Sequence, residues 1–143
     1  MKYFFDTSVL AKVYHQEEGT PEVLKIYAGE HKIYISELAR IESHSAVYRK
    51  YREKEIKKKT LNLLIDKFTA DLDEKYEILY FSPSVIEQAV DILSKYGESR
   101  SIKTLDSLQL SFFKFYCEED CFVSSDLKLI DIAKKEKLTT LSI

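Results

Sequence analysis

The sequence is poor in residues that interrupt secondary structure, with only three glycines and two prolines among its 143 residues. Long helices and strands joined by short loops are therefore expected. No apolar run approaches the roughly 20 residues that a membrane-spanning helix requires. The only candidate leader run, at the N-terminus, is interrupted by Asp6. We therefore predict a cytoplasmic protein without membrane association, and a single domain over residues 1–143.

Cysteine and histidine are also scarce, which leaves few nitrogen or sulfur ligands for a metal site. Cys117 and Cys121 are the only cysteines, and a zinc site would need two further ligands that no nearby histidine supplies. We interpret both as small buried apolar residues. His15, His31 and His44 lie in no metalloprotease spacing, so we interpret them as structural or surface residues.

Neither sign of charge dominates, because the formal net charge is only −2. The chain therefore lacks an overall basic footprint, and any nucleic-acid binding must depend on a local patch. One candidate patch is the stretch RKYREKEIKKK, residues 49–59, which holds seven basic and two acidic residues. The same run is also typical of a solvated helix face, so both interpretations stay open.

Short apolar runs alternate with helical patterns along the chain. Strands are predicted at Lys2–Phe5, Lys32–Ile35, Tyr76–Phe81, Cys121–Ser124 and Leu138–Ile143. Helices are predicted from the Ser36 cap to about Tyr51, over about 54–72, from Pro83 to near Gly97, after a Thr104 cap, and from Ser125 or Asp126. Two of these helices show apolar faces at core spacing, formed by Leu38, Ile41, Ser45 and Tyr48 and by Leu105, Leu108, Phe112 and Phe115. The alternation predicts a three-layer α/β/α sandwich with a mostly parallel central sheet of about five strands.

Four acidic residues from distant segments are expected at the carboxyl edge of this sheet. Asp6 follows the first strand and Asp126 follows the strand that ends at Ser124, while Glu42 and Asp106 lie in early turns of helices that leave the same edge. Each acid alone also fits a helix cap, a helix dipole or a solvated face. Their convergence instead predicts a bound cation, because clustered carboxylates otherwise repel one another. An all-oxygen site suits Mg²⁺, with Mn²⁺ as the second possibility.

The segments that carry these acids resemble the PIN-domain family, and most closely its small VapC-like toxin ribonucleases. FFDTS, ISELARIES, KTLDSLQL and FVSSDLKLIDIAKKEKL occur in the family's order and spacing over essentially the whole chain. The family's four acids fall on Asp6, Glu42, Asp106 and Asp126. Ser8 and Ser124 match hydroxyl positions near these acids, and Lys103 stands where many relatives carry arginine.

The resemblance implies a metal-dependent endoribonuclease that hydrolyses RNA phosphodiester bonds as the toxin of a toxin–antitoxin pair. It also implies a homodimer and a small antitoxin protein as partners. The alternative is a non-catalytic PIN-fold module that binds RNA or protein, which the loss of one of the acids would have favoured. A hydrolase that forms a phospho-aspartate is disfavoured, because its D-x-D pattern would need an acid where this chain has Ser8.

If the chain is such a nuclease, all four acids are expected to hold the metal. Asp6 and Asp106 would be inner ligands, and Glu42 and Asp126 would complete the site through the metal or bound water. The side chains expected to orient these carboxylates are Thr7, Ser8 and Ser124. The candidate RNA contacts are Arg49, Arg52 and Lys103. Asp131 is an outlying fifth acid that helix register is expected to turn outward.

Glu42 has a rival in Glu37, which belongs to the same segment. The two are five residues apart, which places them about 140° apart around a helix, so they cannot share one face. Glu37 directly follows the Ser36 cap, where a carboxylate complements the helix N-terminus. We therefore assign the site to Glu42.

Overall fold

Five short strands and seven helices alternate along the chain in the computed structural model, which describes residues 1–143. The strands are β1 (Lys2–Phe5), β2 (Lys32–Ser36), β3 (Tyr76–Leu79), β4 (Cys121–Ser124) and β5 (Thr140–Ser142). The helices are α1 (Thr7–Tyr14), α2 (Thr20–Ala28), α3 (Glu37–Arg52), α4 (Lys58–Glu74), α5 (Pro83–Tyr96), α6 (Thr104–Cys117) and α7 (Leu127–Lys135). No helix has both the length and the apolar character needed to cross a membrane.

The strands form one sheet in the order β3-β2-β1-β4-β5, and every neighbouring pair is parallel. Two apolar cores cover its faces. Phe4 packs with residues of α5, α6 and α7, whereas Tyr3 and Phe5 pack with residues of α1, α2 and α4. Phe4 and Phe5 point to opposite faces of the sheet, as successive strand residues do. Both are fully buried because helices cover both faces. The predicted α/β sandwich with a parallel five-stranded sheet is confirmed.

The strand order reverses direction at the centre of the sheet, between β1 and β4. From β1 the chain moves outward through β2 to β3, then crosses back and continues through β4 to β5 on the other side. Phe5 pairs with Ile35 on one side and with Val123 on the other. In open parallel sheets the crevice outside such a reversal is where ligands bind. Asp6 lies at this point, and its N–H donates to the carbonyl of Val123 at 3.2 Å.

Several predicted element boundaries are wrong by a few residues. Helix α6 begins at Thr104 with Lys103 as its N-cap residue, so Thr104 is not the cap. The lysine-rich helix begins at Lys58 and not near residue 54, because Lys54 has a φ of 60°, which interrupts a right-handed helix. Strand β3 ends at Leu79, two residues before its predicted end.

The predicted core faces of α3 and α6 are also partly wrong. Ile41 and Tyr48 on α3 are exposed, as are Leu105 and Phe115 on α6. Helix α6 contacts α5 on one side and α3 and α7 on others, so it buries more than one stripe of residues. Its buried positions are Ser107, Gln109, Leu110, Ser111, Phe112, Phe113 and Cys117. The two cysteines are free and buried, as predicted.

The ends of three helices are joined by one carboxylate. Glu136, which caps the C-terminus of α7, accepts hydrogen bonds from the ammonium groups of Lys95 and Lys114, each at 2.6 Å, and from the hydroxyl of Tyr96. Its side chain is only 9% exposed. Burial alone would raise the pKa of Glu136, but the three donors outweigh burial and lower the pKa to about 2.

We predict that Glu136→Gln destabilises the protein by roughly 1–3 kcal/mol at pH 7, because the paired carboxylate is lost. Since the pKa of Glu136 is lowered from 4.5 to about 2, its contribution is complete above the unfolded pKa and disappears as the pH falls through this interval. Urea unfolding of both proteins at pH 7 and at about pH 2.5 should show the difference shrinking in acid. The exposed Glu119→Gln is the control and should show no such difference; an equal deficit for Glu136→Gln at both pH values would contradict the ion-pair account.

Candidate active site

All four predicted acids line one cavity of about 190 Å³ at the carboxyl edge of the sheet. Its lining consists of Asp6, Thr7, Ser8, Glu42, Leu105, Asp106, Gln109, Asp126 and Leu129. These residues come from the starts of α1, α6 and α7 and from the second turn of α3. The structure thus brings the four acids together, while their roles remain predictions.

Asp6 is the most deeply buried of the acids, with only 4% of its surface exposed. Its Oδ1 accepts from the hydroxyl of Ser8 at 2.6 Å and from the N–H of Val9 at 3.0 Å, which caps α1. Its Oδ2 accepts from the hydroxyl of Ser124. A carboxylate offers about four acceptor positions, so one position on Asp6 remains for a ligand. Asp6 is therefore both the cap of α1 and a member of the cavity.

The surroundings of Asp6 disfavour its negative charge. Burial is the main cause and raises the pKa of Asp6 to about 6, although the hydrogen bonds from Ser124, Ser8 and Val9 act in the opposite direction. The nearby carboxylate of Asp126 raises this pKa further. Burial likewise raises the pKa of Asp106. A cation in the cavity would relieve both effects.

Asp126 and Asp106 are helix-capping residues as well as cavity residues. Oδ1 of Asp126 accepts from the N–H groups of Lys128 and Leu129, at 2.9 and 3.2 Å, and so caps α7. Oδ2 of Asp106 accepts at 3.4 Å from the N–H of Lys103, in the first turn of α6. The second oxygen of each carboxylate has no protein donor. Capping and ligand binding therefore use different oxygens of the same side chain.

Glu42 is fixed by residues of two other helices. Its Oε1 accepts from the hydroxyl of Thr7 at 2.7 Å and from the side-chain amide of Gln109 at 3.1 Å. Its Oε2 has no protein donor. Glu37, in contrast, lies outside the cavity and accepts from the N–H of Phe81 at 3.0 Å.

Each of the three hydroxyls expected to orient carboxylates donates to one. Ser8 and Ser124 donate to Asp6, and Thr7 donates to Glu42. Gln109 was not among the predicted residues. The sequence could have indicated Gln109, because it is a lone amide among the apolar residues of LQLSFF. It follows Asp106 by three residues, which places the two side chains close together on α6.

The acids are not arranged as a finished metal site. No group of three or more histidine, cysteine, aspartate or glutamate side chains is placed to hold a metal ion. The donor chemistry nevertheless fits a hard cation, because the polar lining of the cavity offers only oxygen atoms and one amide. Glu42, Asp106 and Asp126 each keep one carboxylate oxygen without a protein donor. These oxygens, together with the remaining acceptor position of Asp6, could bind a cation.

Two larger cavities continue from the four-acid cavity and share Asp106 and Asp126 with it. One, of about 490 Å³, is lined on its polar side by Lys103 and Lys128. The other, of about 360 Å³, includes Arg100 and Asp131. We call these two larger cavities together the lysine groove, which adjoins the acids along the starts of α6 and α7.

The outlying predicted residues lie in different places. Asp131 is exposed, is absent from the four-acid cavity and forms an ion pair with Arg100 at 3.3 Å. Lys103 lies in the lysine groove, as its position before α6 requires. Arg49 and Arg52 lie at the exposed C-terminal end of α3 and line none of the three cavities. The structure therefore places only one of the three candidate RNA contacts beside the acids.

Similarity to known proteins extends over most of the chain. A family model for the PIN domain matches residues 3–135. No matching sequence is found among curated proteins.

Solved structures provide further matches. The chain superposes on VapBC2 from Rickettsia felis, crystallised with a promoter DNA fragment, with a TM-score of 0.69 and 20% identity over 100% of this chain and 99% of that chain. FitAcB from Neisseria gonorrhoeae gives a TM-score of 0.75 and 16% identity over 98% and 96%. VapC20 from Mycobacterium tuberculosis, described as a toxin that cleaves the sarcin–ricin loop, gives 0.69 and 14% over 90% and 93%. At these identities the similarity establishes the fold.

We predict that Asp6→Asn makes the metal-free protein more stable by roughly 1–3 kcal/mol near neutral pH. Because the pKa of Asp6 is raised from 3.8 to about 6, the folded wild type holds a proton that the unfolded chain releases. Asp6 contributes fully to the free energy of unfolding below pH 3.8, where it is protonated in both states. This contribution is lost as the pH rises through about 6. Asparagine keeps an oxygen for the α1 cap and does not ionise.

The measurement is the free energy of unfolding between pH 4 and pH 8 in EDTA, for wild type, Asp6→Asn and the exposed control Asp91→Asn. The advantage of Asp6→Asn should grow between about pH 4 and pH 6 and level off above that range, and Asp91→Asn should parallel wild type. An advantage that does not change with pH would contradict the raised pKa.

Proposed function

Because the chain belongs to the PIN-domain family, we propose that it is a metal-dependent endoribonuclease that hydrolyses RNA phosphodiester bonds. The observation that carries the proposal is the single cavity lined by four carboxylates, three of which keep an oxygen free of protein donors. The structural neighbour VapC20 is described as an RNA-loop-cleaving toxin, and we extend RNA cleavage from that protein to this one.

Asp6, Glu42, Asp106 and Asp126 would hold one or two Mg²⁺ or Mn²⁺ ions in this proposal. When bound, such ions polarise a phosphate and activate water at neutral pH. The fit rests on hard oxygen donors and on the unfavourable charge of Asp6, whose pKa is raised mainly by burial. The hydroxyls of Ser8 and Ser124 keep the carboxylate of Asp6 in one orientation, which lowers the reorganisation needed when a ligand binds.

The lysine groove supplies a path for the RNA backbone. Lys103 and Lys128 border Asp106 and Asp126, and neither lysine forms an ion pair within the protein. Their charges are thus available to phosphates on either side of the bond to be cleaved. Contacts of this kind position the strand and carry little sequence information. We therefore place the RNA in this groove and not along the end of α3.

We further propose that the protein is the toxin of a toxin–antitoxin pair, active as a homodimer and inhibited by a small antitoxin protein. The support is that the solved neighbours from Rickettsia felis and Neisseria gonorrhoeae are VapBC2 and FitAcB, each covered over nearly its whole length by this chain. An antitoxin that covers the four-acid cavity would block the substrate and the metal at once.

Glu42→Gln should abolish RNA cleavage and leave the fold intact, because the amide keeps the size of the side chain but loses a carboxylate. Glu37→Gln should stay active and lose about 0.3–1 kcal/mol of stability, since it only supports the first turn of α3 and the N–H of Phe81. Purified wild type and both variants would be incubated with structured and unstructured RNAs in Mg²⁺, in Mn²⁺ and in EDTA, and their melting temperatures would be measured.

Cleavage by wild type that persists in EDTA would contradict the metal dependence. RNA that is retained by the wild type but never cut would instead identify a non-catalytic binding module. An inactive Glu37→Gln beside an active Glu42→Gln would show that the wrong glutamate had been assigned to the site.

Lys103→Gln and Lys128→Gln should each weaken RNA binding for all sequences, because each removes about one phosphate contact. The slope of log affinity against log salt concentration should fall in magnitude by about 0.7 for single-stranded RNA. Binding would be measured in the Glu42→Gln background, where the RNA remains uncut. Arg52→Gln is the matched control and should leave the salt dependence nearly unchanged. If only Arg52→Gln lowered the slope, the RNA would run along α3.

A further inference from the structure

A buried amide joins the four-acid cavity to the beginning of α3. Gln109 is 4% exposed and contacts three elements. Its Oε1 accepts from the hydroxyl of Ser36 at 2.9 Å, and its Nε2 donates to the hydroxyl oxygen of Thr7 at 2.8 Å and to Oε1 of Glu42 at 3.1 Å. All three hydrogen-bond partners are side chains at the carboxyl edge of the sheet.

The orientation of this amide is fixed by the cap of α3. The hydroxyl oxygen of Ser36 accepts the N–H of Ala39 at 2.9 Å, which is the N-cap contact of the helix. The single proton of this hydroxyl is then available for Oε1 of Gln109. Because Oε1 is held by Ser36, the NH₂ group must face Thr7 and Glu42. The opposite orientation would bring the amide oxygen against the Glu42 carboxylate.

Glu42 therefore receives both of its protein donors at one oxygen. Thr7 and Gln109 both donate to Oε1, and Thr7 is itself held by Gln109. Two donors at one oxygen restrain the rotation of the carboxylate and leave Oε2 without a protein donor. Without the amide, only the hydroxyl of Thr7 would hold Glu42.

We propose that Gln109 is a positioning residue that locks the Glu42 carboxylate so that Oε2 is presented to the cation of the site. This inference rests on the proposed function, because it assumes that Glu42 binds metal. It adds a residue outside the four acids, on the same helix as Asp106, and makes the position of Glu42 depend on α6. Gln109 would act through Glu42, because the oxygen and the nitrogen of its amide are both bonded to protein groups.

The test compares Gln109→Leu with a matched glutamine elsewhere in the protein. Leucine approximates the volume of glutamine but supplies no donor to Glu42. Gln88 on α5 is the control, because its Oε1 is buried without a hydrogen-bond partner and it lies outside the cavity. Mn²⁺ affinity would be measured by calorimetry, and RNA cleavage would be measured as a function of Mn²⁺ concentration, with the melting temperature of each variant in EDTA.

Gln109→Leu should weaken Mn²⁺ binding by about 10–100-fold, the usual effect of losing a residue that orients a metal ligand. Cleavage should need a correspondingly higher Mn²⁺ concentration and recover in large part at saturation, with KM for RNA unchanged. A loss of stability alone would not move the Mn²⁺ requirement in this way. Gln88→Leu should keep the wild-type Mn²⁺ affinity.

Gln109→Asn provides a second measurement if leucine prevents folding. Its amide is one methylene shorter and cannot span Ser36 and Glu42 together, so weaker Mn²⁺ binding is again expected. A wild-type Mn²⁺ affinity in the folded variant would overturn the inference while leaving the proposed function intact. Weaker Mn²⁺ binding in a protein whose wild type cuts no RNA would support the inference and refute the nuclease. A wild type that binds no Mn²⁺ would overturn both.

Discussion

A carboxylate buried at the junction of β1 and β4 is the constraint on which the carboxyl edge of this protein depends. Asp6 is held there by Ser8, Val9 and Ser124, because a buried charge without donors would be strongly unfavourable. Its supporting hydroxyls are themselves fixed from the β4–α7 turn. Ser125 donates its N–H to Ser8, and Asp126 donates its N–H to Ser124, each at 3.0 Å. The start of α1 and the start of α7 are thus one hydrogen-bonded unit.

Two of the other acids also combine a helix cap with a place in the cavity. Asp6, Asp106 and Asp126 each accept backbone N–H groups at a helix start, where an acid is favoured by the unpaired donors and the helix dipole. The capping function explains why each residue stands at its position in the chain, and the reversal of strand order explains why the positions meet. Structural and functional interpretations of these acids are therefore compatible, because separate oxygens serve each purpose.

How far the sequence alone reaches can be seen residue by residue. The sheet and the meeting of the four acids were predictable, because parallel strands expose their carboxyl ends at one edge whatever the loops do. The buried face of α6 was not predictable in the same way. Leu105 and Phe115 fit one apolar stripe, but both are exposed because the helix packs against several neighbours. Arg49 and Arg52 lie in the last turn of α3, far along the helix from the sheet edge where it begins, and the charge pattern alone did not show that they would miss the acids. Gln109 was not predicted because its hydrogen-bond partners, Thr7, Ser36 and Glu42, are 67 or more residues away in the chain.

The central place of β1 in the sheet also governs when the site can exist. β1 is the first strand to be synthesised, yet one of its two neighbours, β4, ends only at Ser124. During translation the ribosome must therefore release most of the chain before the middle of the sheet can close, and such distant pairings also slow folding. A fragment that stops before α6 contains Asp6 and Glu42 but neither of the other acids. Chains that end before α6 are thus kept from assembling the cavity, because two of its four carboxylates are missing.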